Sequence, residues 1–482
     1  MKRLVLVSFL WACGDNVEPI DEEPIGEEPI QAVCNEAQLD LDIKALPNVK
    51  TAVATPCGNW VEGVSKCFRI TIEQPVNQLA PDKVFEQHLW LMHRGCDRPT
   101  VVADWGYSNE YFFDDELAVL FDANALWVEH RFQGESLPAL ADWDWKQLTI
   151  ENGAHDLHDV ITSFKHLYGG RWVSTGASKG GITATYHAYF FPDDLDGVIP
   201  YVAPASRWRV DAAYQSYIAS VMSRSCGQRV RDSQVAALTT RRPMMLAKIG
   251  EAVGTGYEEL YLEAMTTHFD WAFWQYYGDE YCSQVPEATA TDEQFWNFYA
   301  AFSGLFGPQR LPGLPANEAM SDGALYYEWL TEQGFALQIG EHVKPLLQND
   351  FATATMEDRF RAEFPAVELP THDGSVTRSV RRWASLRAEN IMFIYGQFDP
   401  WSGGAIDEPV QPSSSRFFVP GANHGAQISG LDAVERNAAL AHAERMFGRP
   451  PMLTEMPRAI RAGKTRDAIL ARTMQRALVR MP

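Results

Sequence analysis

Trp172-Val173-Ser174-Thr175-Gly176-Ala177-Ser178-Lys179-Gly180-Gly181-Ile182 is a short strand, a glycine-rich turn and the start of a helix. The helix continues to residue 191, where Pro192 stops it. Within the turn, Gly176-Ala177-Ser178-Lys179-Gly180 fits the pattern G-x-S-x-G in the strand–turn–helix setting of a nucleophile elbow. Such a turn forces its serine into a strained conformation at the carboxyl edge of a sheet. The helix N-terminus then adds positive potential beside a developing oxyanion. The stretch predicts an α/β-hydrolase fold with Ser178 as nucleophile.

The surroundings agree. Residues 68–74, 88–93, 101–103 and 125–129 read as strands, 153–168 as an amphipathic helix and 197–202 as a further strand. This alternation implies a largely parallel sheet with helices on both faces. From 206 to 387 the pattern turns helical and aromatic, with helices expected over 257–277, 293–305 and 324–333. Strand patterns return at 390–395 and 416–419. The helical block is therefore expected as a cap inserted into one sheet.

A nucleophilic serine needs a base and an orienting acid. In this fold they follow in the order Ser, Asp, His, on loops after strands. Asp399 stands in Tyr395-Gly396-Gln397-Phe398-Asp399-Pro400-Trp401, after one strand. His424 stands in Asn423-His424-Gly425, after the next. Alone, Asp399 would be a turn aspartate before proline and His424 a loop histidine; order, placement and glycine flanks together point to a triad. The oxyanion needs two backbone donors. The N–H of Lys179 is one, and the backbone of Gly106 or Tyr107, after the strand at 101–103, is expected to supply the other. With His424 present, the Lys179 side chain is not needed as a base and is expected to be exposed or paired with a nearby acid.

Further stretches carry a family resemblance. Ser178-Lys179-Gly180-Gly181 followed by Tyr201-Val202-Ala203-Pro204 resembles the secreted bacterial serine peptidases that include prolyl tri- and tetrapeptidyl aminopeptidases. These are similar in architecture to prolyl carboxypeptidase and dipeptidyl peptidase II. Glu129-His130-Arg131-Phe132, Ala154-His155-Asp156-Leu157-His158, Phe273-Trp274-Gln275-Tyr276-Tyr277-Gly278 and the acid and base loops resemble the family in the same order, over about residues 65–447. The tail after Pro450 lies outside it. The resemblance implies attack on a peptide bond near a free N-terminus, with proline at P1. A proline ring needs flat aromatic walls, for which Trp274, Tyr277, Tyr327 and Trp401 are candidates, with Phe273, Tyr276, Tyr326 and Trp329 nearby. Most cap aromatics are expected to be core. An α-ammonium needs a carboxylate, with Glu328, Glu129 and Glu135 as candidates, although Glu129 beside Arg131 reads first as a buried ion pair.

The ends of the chain carry addressing rather than chemistry. Lys2-Arg3, an apolar run and Leu10-Trp11-Ala12-Cys13 resemble a lipoprotein signal, with lipid expected on Cys13. Residues 14–31 hold seven acidic residues and no basic one, and repeat Glu-Glu-Pro-Ile, as an extended tether would. Residues 453–482 hold seven Lys and Arg against two Asp and Glu, and read as a basic helix docking on an acidic body. The expected division is 1–13 signal, 14–33 tether, 34–205 with 388–450 hydrolase core, 206–387 cap and 451–482 basic helix. Six further cysteines in an exported chain imply disulfides: Cys57–Cys67 as neighbours, Cys226–Cys282 inside the cap, leaving Cys34–Cys96.

Across 482 residues, 41 Lys and Arg against 63 Asp and Glu give a net charge of −22, which argues against a nucleic-acid partner. No metal and no cofactor is expected: the histidines form no H-E-x-x-H, and no dinucleotide fingerprint follows a strand. The expected partners are a peptide with a free N-terminus and, through lipid, a membrane. The leading expectation is a serine aminopeptidase releasing short peptides. An esterase or lipase on the same fold is the alternative, and a non-catalytic binding protein is disfavoured by the intact Ser, Asp and His.

Overall fold

The computed structural model describes residues 32–452, apart from 59–60, 223–225, 255, 257, 304–315, 337–339 and 349–355. The expected signal, residues 14–31 of the tether and residues 453–482 of the basic C-terminal helix lie outside the described residues. The strands are β1 (Val49–Thr55), β2 (Lys66–Pro75), β3 (Val84–His93), β4 (Thr100–Asp104), β5 (Asn124–Val128), β6 (Trp172–Ala177), β7 (Gly197–Tyr201), β8 (Met392–Gly396) and β9 (Ser415–Val419). They form one sheet in the order β1-β2-β3-β5-β4-β6-β7-β8-β9. β1, β2 and β3 run antiparallel to their neighbours, and β5 through β9 are parallel. A parallel sheet whose central strands cross over around β4, with one antiparallel end, is the α/β-hydrolase arrangement.

Both faces are covered, so the parallel strands β4 to β8 are buried along their whole length, while β9 at the edge is half-buried. On one face Val101, Trp127, Val173 and Ile394 pack against Leu117, Met446 and Phe447. On the other, Val102 and Leu126 meet Leu157, Ile161 and Phe164 of the helix Ile150–Lys165. Val198, Phe393 and Tyr395 meet Ile182, Tyr186, Val380 and Ala384. The last two belong to the helix Ser375–Leu386. The sequence reading placed this helix in the cap, but its apolar face completes the sheet layer instead. Because the chain leaves β4 toward one face and β6 toward the other, a crevice opens between these two strand ends.

Between β7 and β8 the chain builds the helical cap around its own cluster, which includes Val230, Ile249, Phe269, Trp271, Trp274, Phe295 and Tyr299. The helix expected over 257–277 is divided at His268 into Glu258–Thr267 and Phe269–Tyr276. The disulfides are the expected three, Cys34–Cys96, Cys57–Cys67 and Cys226–Cys282. Cys226–Cys282 lies wholly within the cap, where closing a loop of that length restricts the unfolded chain by about 4 kcal/mol. Among the described residues, no helix is long and apolar enough to cross a membrane.

Candidate active site

Ser178 follows β6 directly and precedes the helix Lys179–Phe190, with φ 58° and ψ −126°. This left-handed conformation is costly for a residue with a side chain, and here its surroundings impose it. The Ser178 amide donates to Tyr201 O at 3.0 Å, and the helix begins at the next residue. Gly180 makes the close approach possible: a Cβ there would stand 2.8 Å from the Trp105 backbone. The loop after β4 therefore lies against the elbow.

Asp399 and His424 come to the same edge from the loops after β8 and β9. His424 Nδ1 lies 2.7 Å from Asp399 Oδ2, and Asp399 Oδ1 accepts the Trp401 amide at 3.0 Å. Ser178, Asp399 and His424 are all buried. His424 Nε2 has no hydrogen-bond partner among the described residues. The loop carrying Asp399 is pinned from below by Arg381, which donates to Ala205 O (2.6 Å), Gly404 O (2.8 Å) and Ala405 O (2.8 Å). The cap holds the base loop through backbone carbonyls: Gln275 O accepts the His424 amide at 3.1 Å, and Tyr277 O accepts Asn423 Nδ2 at 3.3 Å.

Tyr107 and Lys179 meet at Ser178. The Tyr107 hydroxyl reaches both Ser178 and the backbone N–H of Lys179. Burial, with the nearby Glu328 carboxylate, pushes this phenol well above its usual range, so it keeps its proton. The sequence reading expected the backbone of Gly106 or Tyr107; the Tyr107 side chain is a further group beside Ser178. The Gly106 backbone is fully engaged, its N–H donating to Asp104 Oδ1 (2.8 Å) and its carbonyl accepting Lys179 Nζ (2.7 Å).

Behind these groups lies a buried set of opposite charges. Lys179 Nζ is 2.9 Å from Glu328 Oε2; Glu328 Oε1 is 2.9 Å from His130 Nε2; His130 Nδ1 is 2.7 Å from Asp104 Oδ2. Burial works against charge on His130, yet Asp104 and Glu328 outweigh it and raise the imidazole to about 9. Burial likewise opposes charge on Glu328, but Lys179 and His130 hold its carboxyl down to about 2.

The carboxylates expected to receive a substrate ammonium are therefore placed otherwise. Glu328 is buried, with one oxygen on Lys179 and the other on His130. Glu129 does not pair with Arg131; it accepts the amides of Asn109 (3.0 Å), Glu135 (2.9 Å) and Ser136 (2.9 Å) and the Ser136 hydroxyl (2.7 Å). Burial raises Glu129 to about 7 despite those donors. Arg131 pairs with Asp156 instead, at 3.0 Å. Glu135 is exposed and pairs with Arg69.

A narrow cavity opens at Ser178. Its walls include Tyr107, Tyr186, Tyr214, Trp329, Phe335 and Trp401, with Ser206 and Gln333 as polar points. Of the aromatics named as pocket candidates, Trp401 and Trp329 line it. Trp274 is cap core, edge-on to Phe273 and Phe398. Tyr327 packs on Trp145 and Phe360, and Tyr277 lies edge-on to Tyr281. Tyr186 and Tyr214 were missed, because each sits in a helix whose apolar pattern reads as core. Asp104 and His130 were missed as well, although each lies at or just beyond the carboxyl end of a central strand, where functional groups collect. Away from the site, His158 and His187 share Asp194 Oδ2 at 2.7 and 2.9 Å, near the far end of the nucleophile's helix.

Over residues 60–482 the sequence matches the family described as PS-10 peptidase S37. The match includes the basic tail, which the resemblance seen in the sequence left out. The chain is 31% identical over 414 residues to prolyl tri/tetrapeptidyl aminopeptidase of Streptomyces mobaraensis, covering 80% of this chain and 81% of that protein. Among solved structures, proline iminopeptidase of Mycobacterium smegmatis superposes with a TM-score of 0.34 at 14% identity, over 78% of this chain and 97% of that one. Acetyl xylan esterase 1 of Thermoanaerobacterium gives 0.34 at 11%, over 86% and 96%. Superpositions this loose say nothing about substrate. The extended sequence match is of another kind, and by it the chain belongs to peptidase family S37 and is a serine peptidase.

Proposed function

We propose that this peptidase removes short peptides, tripeptides foremost, from free N-termini, with proline at P1. The observation that carries the chemistry is the Asp399–His424 hydrogen bond of 2.7 Å at the sheet edge that presents Ser178 in its strained elbow. Ser178 Oγ attacks the carbonyl while His424 Nε2 takes its proton. Asp399 holds the imidazole in the tautomer that allows this, and His424 then passes the proton to the departing amine. Water hydrolyses the acyl-enzyme by the same route. The oxyanion receives the Lys179 N–H and the Tyr107 hydroxyl, which already lie together.

Two features support the substrate class. The cavity at Ser178 is narrow and aromatic, as a pyrrolidine ring requires, and the cap roofs the edge so that a chain end fits better than a folded surface. The relative from Streptomyces mobaraensis is itself a prolyl tri/tetrapeptidyl aminopeptidase. Blocking the substrate's N-terminus is expected to lower kcat/KM at least tenfold, about 1.4 kcal/mol. The measurement compares Ala-Ala-Pro anilide with its acetylated form. Equal values would favour the esterase reading or an endopeptidase.

We further propose that the protein is exported and held at the membrane by lipid on Cys13, with residues 14–33 as tether. Three disulfides accord with export. The mass of the mature N-terminal peptide is expected to show a diacylglyceryl-modified Cys13; a free N-terminus at any other residue would overturn the anchor.

A further inference from the structure

The ion pairs behind the nucleophile close on themselves. Starting from Glu328, one oxygen meets Lys179 Nζ at 2.9 Å, and the same ammonium donates to Gly106 O at 2.7 Å. The Gly106 N–H donates to Asp104 Oδ1 at 2.8 Å; Asp104 Oδ2 lies 2.7 Å from His130 Nδ1; and His130 Nε2 returns to the other Glu328 oxygen at 2.9 Å. Both backbone polar groups of one residue, the N–H and the carbonyl of Gly106, are thus clamped inside a ring of two acids and two bases. All four side chains are buried. Gly106 adopts φ 76°, and a Cβ there would stand 2.7 Å from Lys179 Cγ, so only glycine lets the lysine lie across it. The residue that follows is Tyr107, whose hydroxyl lies on Ser178 and the Lys179 amide.

The ring's members have different origins. Asp104 ends β4, His130 lies two residues beyond β5, and Lys179 opens the helix of the elbow. Glu328 alone comes from the cap, at the end of the helix Ala316–Glu328. With the cap undocked, Lys179 would lose the acid it pairs with and His130 one of its two, leaving Asp104 on His130 Nδ1 and on the Gly106 N–H. Without Glu328 no acid among the described residues holds the Lys179 ammonium against Gly106 O, and the turn would lose its fixed orientation.

We propose that Glu328 is a positioning residue through which docking of the cap assembles the oxyanion site: it closes the Asp104–His130–Glu328–Lys179 ring around Gly106 and thereby sets Tyr107 at the nucleophile. Cap closure and oxyanion readiness are then one event. The inference rests on the reading of Ser178 as nucleophile and Tyr107 as oxyanion donor, and it is independent of which peptide is cleaved. A misplacement of about 1 Å in a catalytic group costs on the order of 100-fold, and loss of one oxyanion donor costs about 100- to 1,000-fold. A loosened ring is expected at or below the lower figure.

The test is Glu328→Gln, which keeps the shape and removes the charge. Its kcat is expected to fall about 10- to 100-fold on Ala-Ala-Pro anilide and on a short nitrophenyl ester, with KM within about threefold. Affinity for the aldehyde Ala-Ala-prolinal, whose hemiacetal needs the oxyanion site, should fall by a similar factor. Affinity for the product Ala-Ala-Pro should not. The Lys179→Met and Glu328→Gln double variant should lose no more than the worse single one, since a ring is broken once. Unchanged kcat, a loss carried wholly by KM, or losses that multiply would each overturn the proposal. If Glu328→Gln does not accumulate as folded protein, His130→Gln opens the ring from the core side and must give the same split. The ester separates the two readings: a wild-type enzyme that cleaves ester but not anilide removes the peptidase assignment and leaves the ring testable.

Discussion

Ser178→Ala is expected to abolish hydrolysis, lowering kcat on Ala-Ala-Pro anilide by on the order of 10⁶, the scale on which removal of the nucleophile acts in serine hydrolases. The elbow sets its residue at φ 58° between β6 and the following helix, and the neighbouring chain holds that backbone: Tyr201 O accepts the Ser178 amide at 3.0 Å. Alanine inherits the strain without relieving it, and it removes one hydroxyl that meets Tyr107. Folding should therefore survive, and the thermal midpoint should move by only a few degrees. Labelling with a fluorophosphonate should disappear together with turnover. A variant keeping more than about one-thousandth of wild-type kcat would place the nucleophile elsewhere.

Asp399→Asn is expected to cost about 10⁴ in kcat with little change in fold or KM. The direction follows from the second bond that Asp399 makes. The Trp401 amide donates to Oδ1 at 3.0 Å, so an asparagine must turn its carbonyl oxygen toward Trp401. Its NH₂ then faces His424 Nδ1, at the position where the carboxylate oxygen stood 2.7 Å away. The imidazole must present a lone pair at Nδ1 and carry its proton on Nε2, the wrong form for taking a proton from Ser178. Stopped-flow or steady-state kinetics on the anilide give the loss. A change of only a few-fold would mean that His424 is oriented by another acid.

Both effects concern residues that stand out in the sequence because each sits in a short local pattern. A strand, a glycine turn and a helix around Ser178 fit within a dozen residues. The loops of Asp399 and His424 each follow a buried strand immediately. The sheet was legible for the same reason: continuous apolar runs such as 101–103 and 391–395 belong to strands covered on both faces. β1 was not legible. Only Ala52 of its seven residues is buried, so an edge strand paired with β2 alone leaves no apolar alternation to read.

The sequence by itself carried the elbow at Ser178, the loops of Asp399 and His424 in that order, the α/β-hydrolase sheet and the helical insertion, since each follows from local periodicity or spacing, and the number and placement of the cysteines pointed to the disulfide pairs. Tertiary structure alone decided what the cap does at the site. Glu328 and Lys179 lie far apart in the chain, and nothing in either neighbourhood says that they meet at 2.9 Å or that His130 and Asp104 complete the ring. Nor does composition separate Trp401 and Tyr214, which wall the cavity, from Trp274, which is cap core. Burial makes aromatic residues look alike in sequence, because a pocket wall and a packed core demand the same apolar surface. Only the path of the chain through space determines which of them is left facing Ser178.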